Sequence, residues 1–185
     1  MKCNFFKIIM SLNKVNFGKN LNLYGVPVIF KKKGSQLNIG ENCTIKSSFL
    51  SNLIGLSQRT IIVTRTEEAK INIGNNVGIS GATIYSRKGI SIGDNTLIGG
   101  NVKILDNDFH PLEIEARNAD IKEKIRSKEI NIGKNCFIGC NSIILKGSRI
   151  GNGSVIGAGS VVSGVFPDNV IIGGNPAKII KFLKE

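Results

Sequence analysis

His110 is the only histidine in this 185-residue chain, and it stands in the stretch "DNDFHP" close to two carboxylates, Asp106 and Asp108. Imidazole changes its protonation state near neutral pH, so it can take a proton from a hydroxyl and pass it on. A positioned general base of this kind contributes about 10²–10⁴ in rate. It needs one ring nitrogen held in place, and Asp106, Asp108 or a backbone carbonyl can do this. The competing reading is a histidine displayed in a polar surface loop. Deciding between the two requires the elements around it.

Other residue types bound the chemistry further. Cys3, Cys43, Cys136 and Cys140 follow no secretory leader, and "NFFKIIMSL" at 4–12 is too short and too interrupted for a signal peptide or a membrane span. This predicts free thiols in a reducing, cytoplasmic setting. Cys136 and Cys140 with a single histidine cannot complete a closed zinc site within one chain, so no metal is expected. The net charge is +12, and no Asp or Glu precedes Glu41, whereas Lys2, Lys7, Lys14, Lys19 and Lys31 to Lys33 all do. Such a surface attracts phosphates or an anionic membrane face. Nucleic acid is not expected as a partner, because no aromatic residues interleave with the basic ones.

The elements that must position His110 are announced by a repeat. From Ile132, a step of six lands on Ile138, Ile144, Ile150, Ile156 and Val162, with glycine after the anchor at Gly133, Gly139, Gly151 and Gly157. A small side chain follows each anchor by four: Cys136, Ser142, Ser148, Ser154 and Ser160. An earlier block repeats the step at Ile92, Ile98 and Ile104, and shorter ones at Ile39–Ile45 and Ile73–Ile79. Period six suits neither a helix nor a hairpin sheet. It suits short strands joined by sharp corners, three to a coil, with successive coils stacked about 4.8 Å apart. Anchors point inward, small residues fill interior corners, and glycine is expected to accept turn dihedrals closed to other residues. The fold class read here is all-β, a parallel β-helix of single strands. The alternative is a β-sandwich whose isoleucines fall at this spacing by coincidence.

The rhythm breaks twice. Thirteen residues separate Ile79 from Ile92, which predicts one extra residue bulging at a corner, and between Asp106 and Lys128 the repeat vanishes. The latter reads as an excursion loop, 106–128, with His110 at its mouth, and a long loop inside a compact repeat is usually functional. Counting on from Ile104 puts the next anchor on His110 and the next interior corner on Asp108, so the chain either leaves the column near Asp106 or binds these polar groups specifically. The expected organisation is a basic N-terminal segment, 1–36, with a short helix near Phe5–Leu12; a β-helix domain, 37–172; and a tail, 173–185, with a capping helix in "NPAKIIKFLKE".

Taken together, "INIGKNCFIGCNSIILKGSRIGNGSVIGAGSVV", "FPDNVIIGGNPAK" and "DNDFHP" before a loop resemble the hexapeptide-repeat acyltransferases over roughly residues 37–182. The likeness is greatest to sugar O-acetyltransferases of the galactoside/maltose type and of capsule, O-antigen and colanic acid pathways. It implies a left-handed β-helix, a homotrimer with active sites between neighbouring subunits, and acetyl-CoA as co-substrate. It implies that His110 deprotonates a sugar hydroxyl, which attacks the thioester directly, while backbone N–H groups hold the developing oxyanion. Carried over residue by residue, Cys140 and Gly139, then Gly157 and Ala158, fall along the pantetheine arm, Ser163 follows the last full repeat, Lys178 lies near the nucleotide phosphates, and Ser80 lies where relatives contact the acceptor sugar. Phe137 replaces a frequent Trp, and Gly164 replaces a frequent Lys, which removes one phosphate contact. The acceptor implied is a sugar or lipid-linked saccharide, and the basic N-terminus can sit against the inner face of the membrane that carries it.

Other readings make different demands. A metal-dependent hydratase on the same coil needs several histidines, a sugar nucleotidyltransferase needs a preceding nucleotide-binding domain, and a non-catalytic scaffold needs no loop at a histidine. N-acetylation of an amino sugar is the runner-up, because its base would be similar.

Overall fold

The computed structural model describes residues 5–183. Every core strand between Asn16 and Gly174 runs parallel to its neighbours, in three sheets of seven, eight and six strands that form the three faces of a column, the eighth strand of the second sheet being an antiparallel one that follows Gly174. The chain visits the first, second and third face in turn, completes six coils, and ends a seventh after the second face. The register stacks the anchors by type. Phe17, Ile39, Ile73, Ile92, Ile132, Ile150 and Phe166 rise through the first face. Leu23, Ile45, Ile79, Ile98, Ile138, Ile156 and Ile172 rise through the second. Ile29, Ile62, Ile84, Ile104, Ile144 and Val162 rise through the third. Each such side chain contributes roughly 1.5–3 kcal/mol by leaving water.

The corners are made differently from the expectation. The left-handed backbone positions at the turns from first to second face belong mainly to asparagine: Asn20, Asn42, Asn76, Asn95 and Asn135 all have φ between 56° and 58°. Asparagine tolerates this region because its short amide bonds locally. The glycines that follow the anchors have ordinary φ, and what they avoid is a clash. A Cβ on Gly139 would lie 2.5 Å from the Ala158 nitrogen, and one on Gly133 would lie 2.7 Å from that of Asn152. The thirteen-residue step from Ile79 to Ile92 is likewise not a single bulge. Five residues take the chain from Ile79 to Ile84 and eight from Ile84 to Ile92, so the corner at Ser80–Gly81 is one residue short and the next is two long.

Three further differences concern the ends and the loops. The column begins at Asn16, not at residue 37, since Asn16–Phe17, Asn22–Tyr24 and Val28–Lys31 already form a full coil. The C-terminal segment is a strand, Ala177–Phe182, antiparallel to Val170–Gly174, where a helix was expected. The last parallel strand leaves an open edge of backbone groups, and a returning strand satisfies it where a helix would not. Lastly, seventeen residues separate Ile45 from Ile62, and residues 47–60 leave the column as a second loop that the repeat analysis passed over. The helix expected near Phe5–Leu12 is present as α1 (Phe5–Leu12), with Met10 buried against the base of the core. No helix among the described residues is long and apolar enough to cross a membrane.

The loop carrying His110 leaves the third face at Asp106, whose carboxylate is fully buried. It accepts hydrogen bonds from Ser86 Oγ at 2.7 Å and from the backbone N–H groups of Arg87, Lys88 and Gly89, each at 2.8 Å. A buried carboxylate is tolerated when this many donors meet it. The neck is closed by Lys128 N–H to the Asp106 carbonyl at 2.9 Å and by Asp108 N–H to the Arg126 carbonyl at 3.1 Å. The loop holds a short helix, α2 (Ile114–Asn118), with Ala116 buried beneath it.

Two substitutions test this construction. Ile144→Ala opens a void in the third-face stack and should cost about 2–5 kcal/mol, read from urea unfolding midpoints. Asp106→Ala strands three backbone N–H groups and should cost on the order of 3 kcal/mol. It should also free the loop to tryptic cleavage at Lys122, Lys124 and Arg126 while leaving the column resistant.

Candidate functional site

His110 lies exposed in the loop at the corner between the third and first faces. Its backbone N–H donates to the Asp108 carbonyl at 2.7 Å, a tight turn that brings the two side chains to one neck of the loop. Phe109, with φ of 63°, projects over the third face, and its ring meets that of Tyr85 with centroids 4.9 Å apart. Asp108 is held from the next coil. Its Oδ1 receives Lys146 Nζ at 2.6 Å, in an ion pair only partly open to water. Its Oδ2 is buried and has no partner among the described residues. The two carboxylates near His110 therefore do different things. Asp106, expected as a possible ring holder, is occupied by the four donors of the corner, whereas Asp108 retains a free acceptor atom. Sequence reasoning did not find Lys146. "LKG" at 145–147 carries no signal beyond its place at a corner of the repeat.

The residues expected along the cofactor gather at the other edge of the third face, at the corner where the second face turns into it. Gly139 and Gly157 end the second-face strands there, Cys140 is partly exposed, and Ala158 is exposed. The N–H groups of Gly100, Cys140 and Ala158 find no acceptor among the described residues, while those of their neighbours Gly99, Gly139 and Gly157 are spent on the ladder. Lys178 belongs to the second face, opposite Gly173 on the returning strand. Ser80 lies at the bottom of this corner, accepts a hydrogen bond from Asn52 Nδ2 at 3.1 Å, and lines a groove of about 380 Å³ with Thr44, Lys46, Leu97, Gly99 and Phe137. Ser163 does not join the group. It stands at the corner of the third and first faces, on His110's side.

Loop 47–60 completes the second-to-third corner. Asn101 Oδ1 accepts from Ser57 N–H at 2.9 Å, and its Nδ2 donates to the Gly55 carbonyl at 3.0 Å. Leu56 is buried, close to where Cβ atoms on Gly81 and Gly100 would lie. The missing residue at Ser80–Gly81 makes the room that this leucine fills. Only the seventeen-residue step from Ile45 to Ile62 could have revealed the loop.

One chain thus keeps His110 and the free N–H groups on opposite edges of its third face. That face points a largely apolar surface outward: Val28, Ile61, Ile143 and Val161 in one row, interrupted by Thr83 and by Lys103, whose Nζ donates to Gln58 Oε1 at 3.2 Å, with Phe30, Tyr85, Leu105 and Leu145 in the other. The first face presents Asn16, Asn38, Asn72, Ser91, Asn131 and Arg149. Among the thiols, Cys136 lies inside the column with Sγ 3.2 Å from the Gly151 carbonyl, and burial pushes it above the usual thiol range, as it does Cys43. Both stay protonated and inert. Cys3, Lys2 and Lys184 lie outside the described residues.

Two family models match the repeat: the bacterial transferase hexapeptide at residues 129–164 and the hexapeptide repeat of succinyl-transferase at residues 89–104. A 24.8 kDa protein in the cps region of Klebsiella pneumoniae is 37% identical over 177 residues, which is 94% of this chain and 75% of that one. A putative acetyltransferase of Dictyostelium discoideum is 38% identical over 120 residues, 60% of each chain. Among solved structures, galactoside acetyltransferase in complex with coenzyme A is 27% identical with a TM-score of 0.59, over 97% of this chain and 70% of that one. A variant of AntD, an N-acyltransferase from Bacillus cereus in complex with dTDP and coenzyme A, shares the fold at 21% identity with a TM-score of 0.71, over 97% and 89%. With the six-residue register, the looped histidine and a 37% identical relative spanning nearly the whole chain, this protein belongs to the hexapeptide-repeat acyltransferases and adopts their left-handed β-helix.

Proposed function

We propose that this protein moves an acetyl group from acetyl-CoA to a hydroxyl of a sugar or saccharide precursor, with His110 as general base. The free ring nitrogen of His110 takes the hydroxyl proton as the oxygen attacks the thioester carbonyl. The C–S bond then breaks, and the departing thiolate recovers the proton from the imidazolium. In this reading the other ring N–H turns to the unpartnered Oδ2 of Asp108 when the site is assembled, and Lys146 keeps that carboxylate in place from the coil above. The free N–H groups of Gly100, Cys140 and Ala158 suit the pantetheine arm and the developing oxyanion. Lys178, on the second face above them, suits the nucleotide phosphates. Ser80 and its groove suit the acceptor. Ser163, placed with His110, belongs to that corner and not to the cofactor edge of the same chain.

The observation that carries this reading is the separation of base and N–H donors across one apolar face. A working site needs a neighbouring copy to bring its His110 to this chain's second-to-third corner. The apolar third face is the surface such a neighbour covers, and a closed ring of three repeats the contact three times. A second reading, N-acylation of an amino sugar, draws support from the shared fold with AntD.

The decisive experiment is acetyl-CoA turnover against a panel of sugars, amino sugars and sugar nucleotides. His110→Ala should lower kcat by about 10²–10⁴, and full turnover by that variant rejects the base. Turnover confined to amino sugars selects the second reading. Ala158→Trp should block the corner without disturbing the fold, because Ala158 is exposed. A mixture of the two inactive variants, refolded together, should regain activity through sites that pair an intact His110 with an intact corner. No recovery rejects the shared site. Cys140 should react with iodoacetamide faster than Cys43 or Cys136, and coenzyme A should slow that reaction, as mapped by peptide mass.

A further inference from the structure

Helix α1 has more apolar surface than the column can use. Phe6 and Met10 pack against the core, on the side that closes its base. The opposite stripe, Phe5, Ile8, Ile9 and Leu12, follows the i, i+3, i+4, i+7 spacing of one helix face, yet Phe5 is 73% exposed, Ile8 57% and Leu12 78%. A helix apolar on both sides is buried on both sides or lies in an interface with something apolar.

Around this stripe the charge has one sign. Lys14 follows the helix, Lys19 stands at one corner of the lowest coil, and Lys31, Lys32 and Lys33 stand at another. None of them forms an ion pair among the described residues. The acidic side chains nearest to them belong to the coil above: Glu41, packed over Gly18, and Glu67, packed over Gly34. The combination of exposed aliphatic and aromatic side chains on a short helix with a lysine border is what an interfacial helix presents to a bilayer of net negative charge.

We infer that the base of the column, α1 with the lysines of the lowest coil, docks on an anionic lipid surface. A second copy fits poorly, because two such bases face to face would set lysine against lysine. A nucleic acid would satisfy the lysines and leave Phe5, Ile8 and Leu12 in water. The inference does not depend on the acyl-transfer reading. If both hold, the acceptor groove near Ser80 opens two coils above the lipid headgroups, within reach of a saccharide carried on a lipid.

The test is co-sedimentation of the full chain with vesicles of phosphatidylcholine, with and without phosphatidylglycerol. Three variants accompany it: Lys14→Glu with Lys32→Glu and Lys33→Glu; Phe5→Ser with Leu12→Ser; and, at the far end of the column, Lys178→Glu with Lys181→Glu. The unaltered protein should partition onto the anionic vesicles at least about tenfold more strongly than onto the neutral ones. Both base variants should lose that preference or that binding by about tenfold, keep the β-sheet circular dichroism of the parent, and keep acetyl transfer to a soluble acceptor. The far-end variant should bind like the parent. Equal loss in the far-end variant overturns the assignment, since bulk charge would then be the cause. So does unchanged binding by the base variants. Light scattering that shows Phe5→Ser/Leu12→Ser dissociating a larger assembly, without vesicle binding in the parent, gives the surface to a second copy and overturns it. Retention of an oligonucleotide without vesicle binding overturns it as well.

Discussion

Each inward anchor in the middle of the column is out of water because another anchor, usually isoleucine, lies on the coil below it and a third on the coil above. No single coil has an inside: three short strands enclose a row of side chains and leave both ends of that row open. The stabilising contact is therefore between coils, in register, through pairs such as Ile104 over Ile84 and under Ile144. Register in a sheet is enforced by burial, because a slip of one residue turns an anchor outward. The loops and corners of this protein are all compatible with that alignment and would be lost with it.

Chemistry collects where the alignment permits departures, which is at the corners. A strand in the middle of a face has neighbours above and below that hold its backbone groups, whereas a corner can lengthen, shorten or eject a loop without moving an anchor. The shortened corner at Ser80–Gly81 admits Leu56 of loop 47–60. The lengthened one at Ser86–Lys88 supplies the N–H groups that enclose the Asp106 carboxylate. That carboxylate belongs to a small inner ladder, in which Ser35 meets Thr64 at 2.7 Å and Ser86 meets Asp106 at 2.7 Å. The base of the His110 loop is thus tied to the regular part of the fold by the same kind of contact that joins Ser35 to Thr64 lower in the same corner.

How far the sequence discloses this follows from which forces leave a period behind. Burial of anchors does, so the β-helix, its six-residue step and the loop at 106–128 were readable from Ile92 to Val162. The lowest coil has the same glycine and asparagine corner, Gly18 and Asn20 after Phe17, but of its anchors Phe17, Leu23 and Ile29 only one is β-branched, so it passed for an irregular segment. Glycine's role was read from its usual conformational freedom, but here it follows from the closeness of the next coil, and the left-handed positions went to asparagine. The two roles of Asp106 and Asp108 were not separable in "DNDFHP", because the donors that distinguish them, Ser86 and Lys146, lie 20 and 38 positions away in the chain. The apolar stripe of the C-terminal segment allowed a helix, and the unfilled sheet edge that makes it a strand is a property of the assembled column.

A stack held together by repetition has no intrinsic length. Its top and bottom rims are rows of unsatisfied amides and carbonyls above an oily bore, a surface on which further chains could add without limit, as they do in amyloid. This molecule interrupts both: the strand Ala177–Phe182 covers the top of the second face, runs against the direction of the stack and offers the wrong polarity for continuation, and α1 places a cylinder with no strand edge at the other mouth. The pieces least like the repeat are the ones that keep it a finite object.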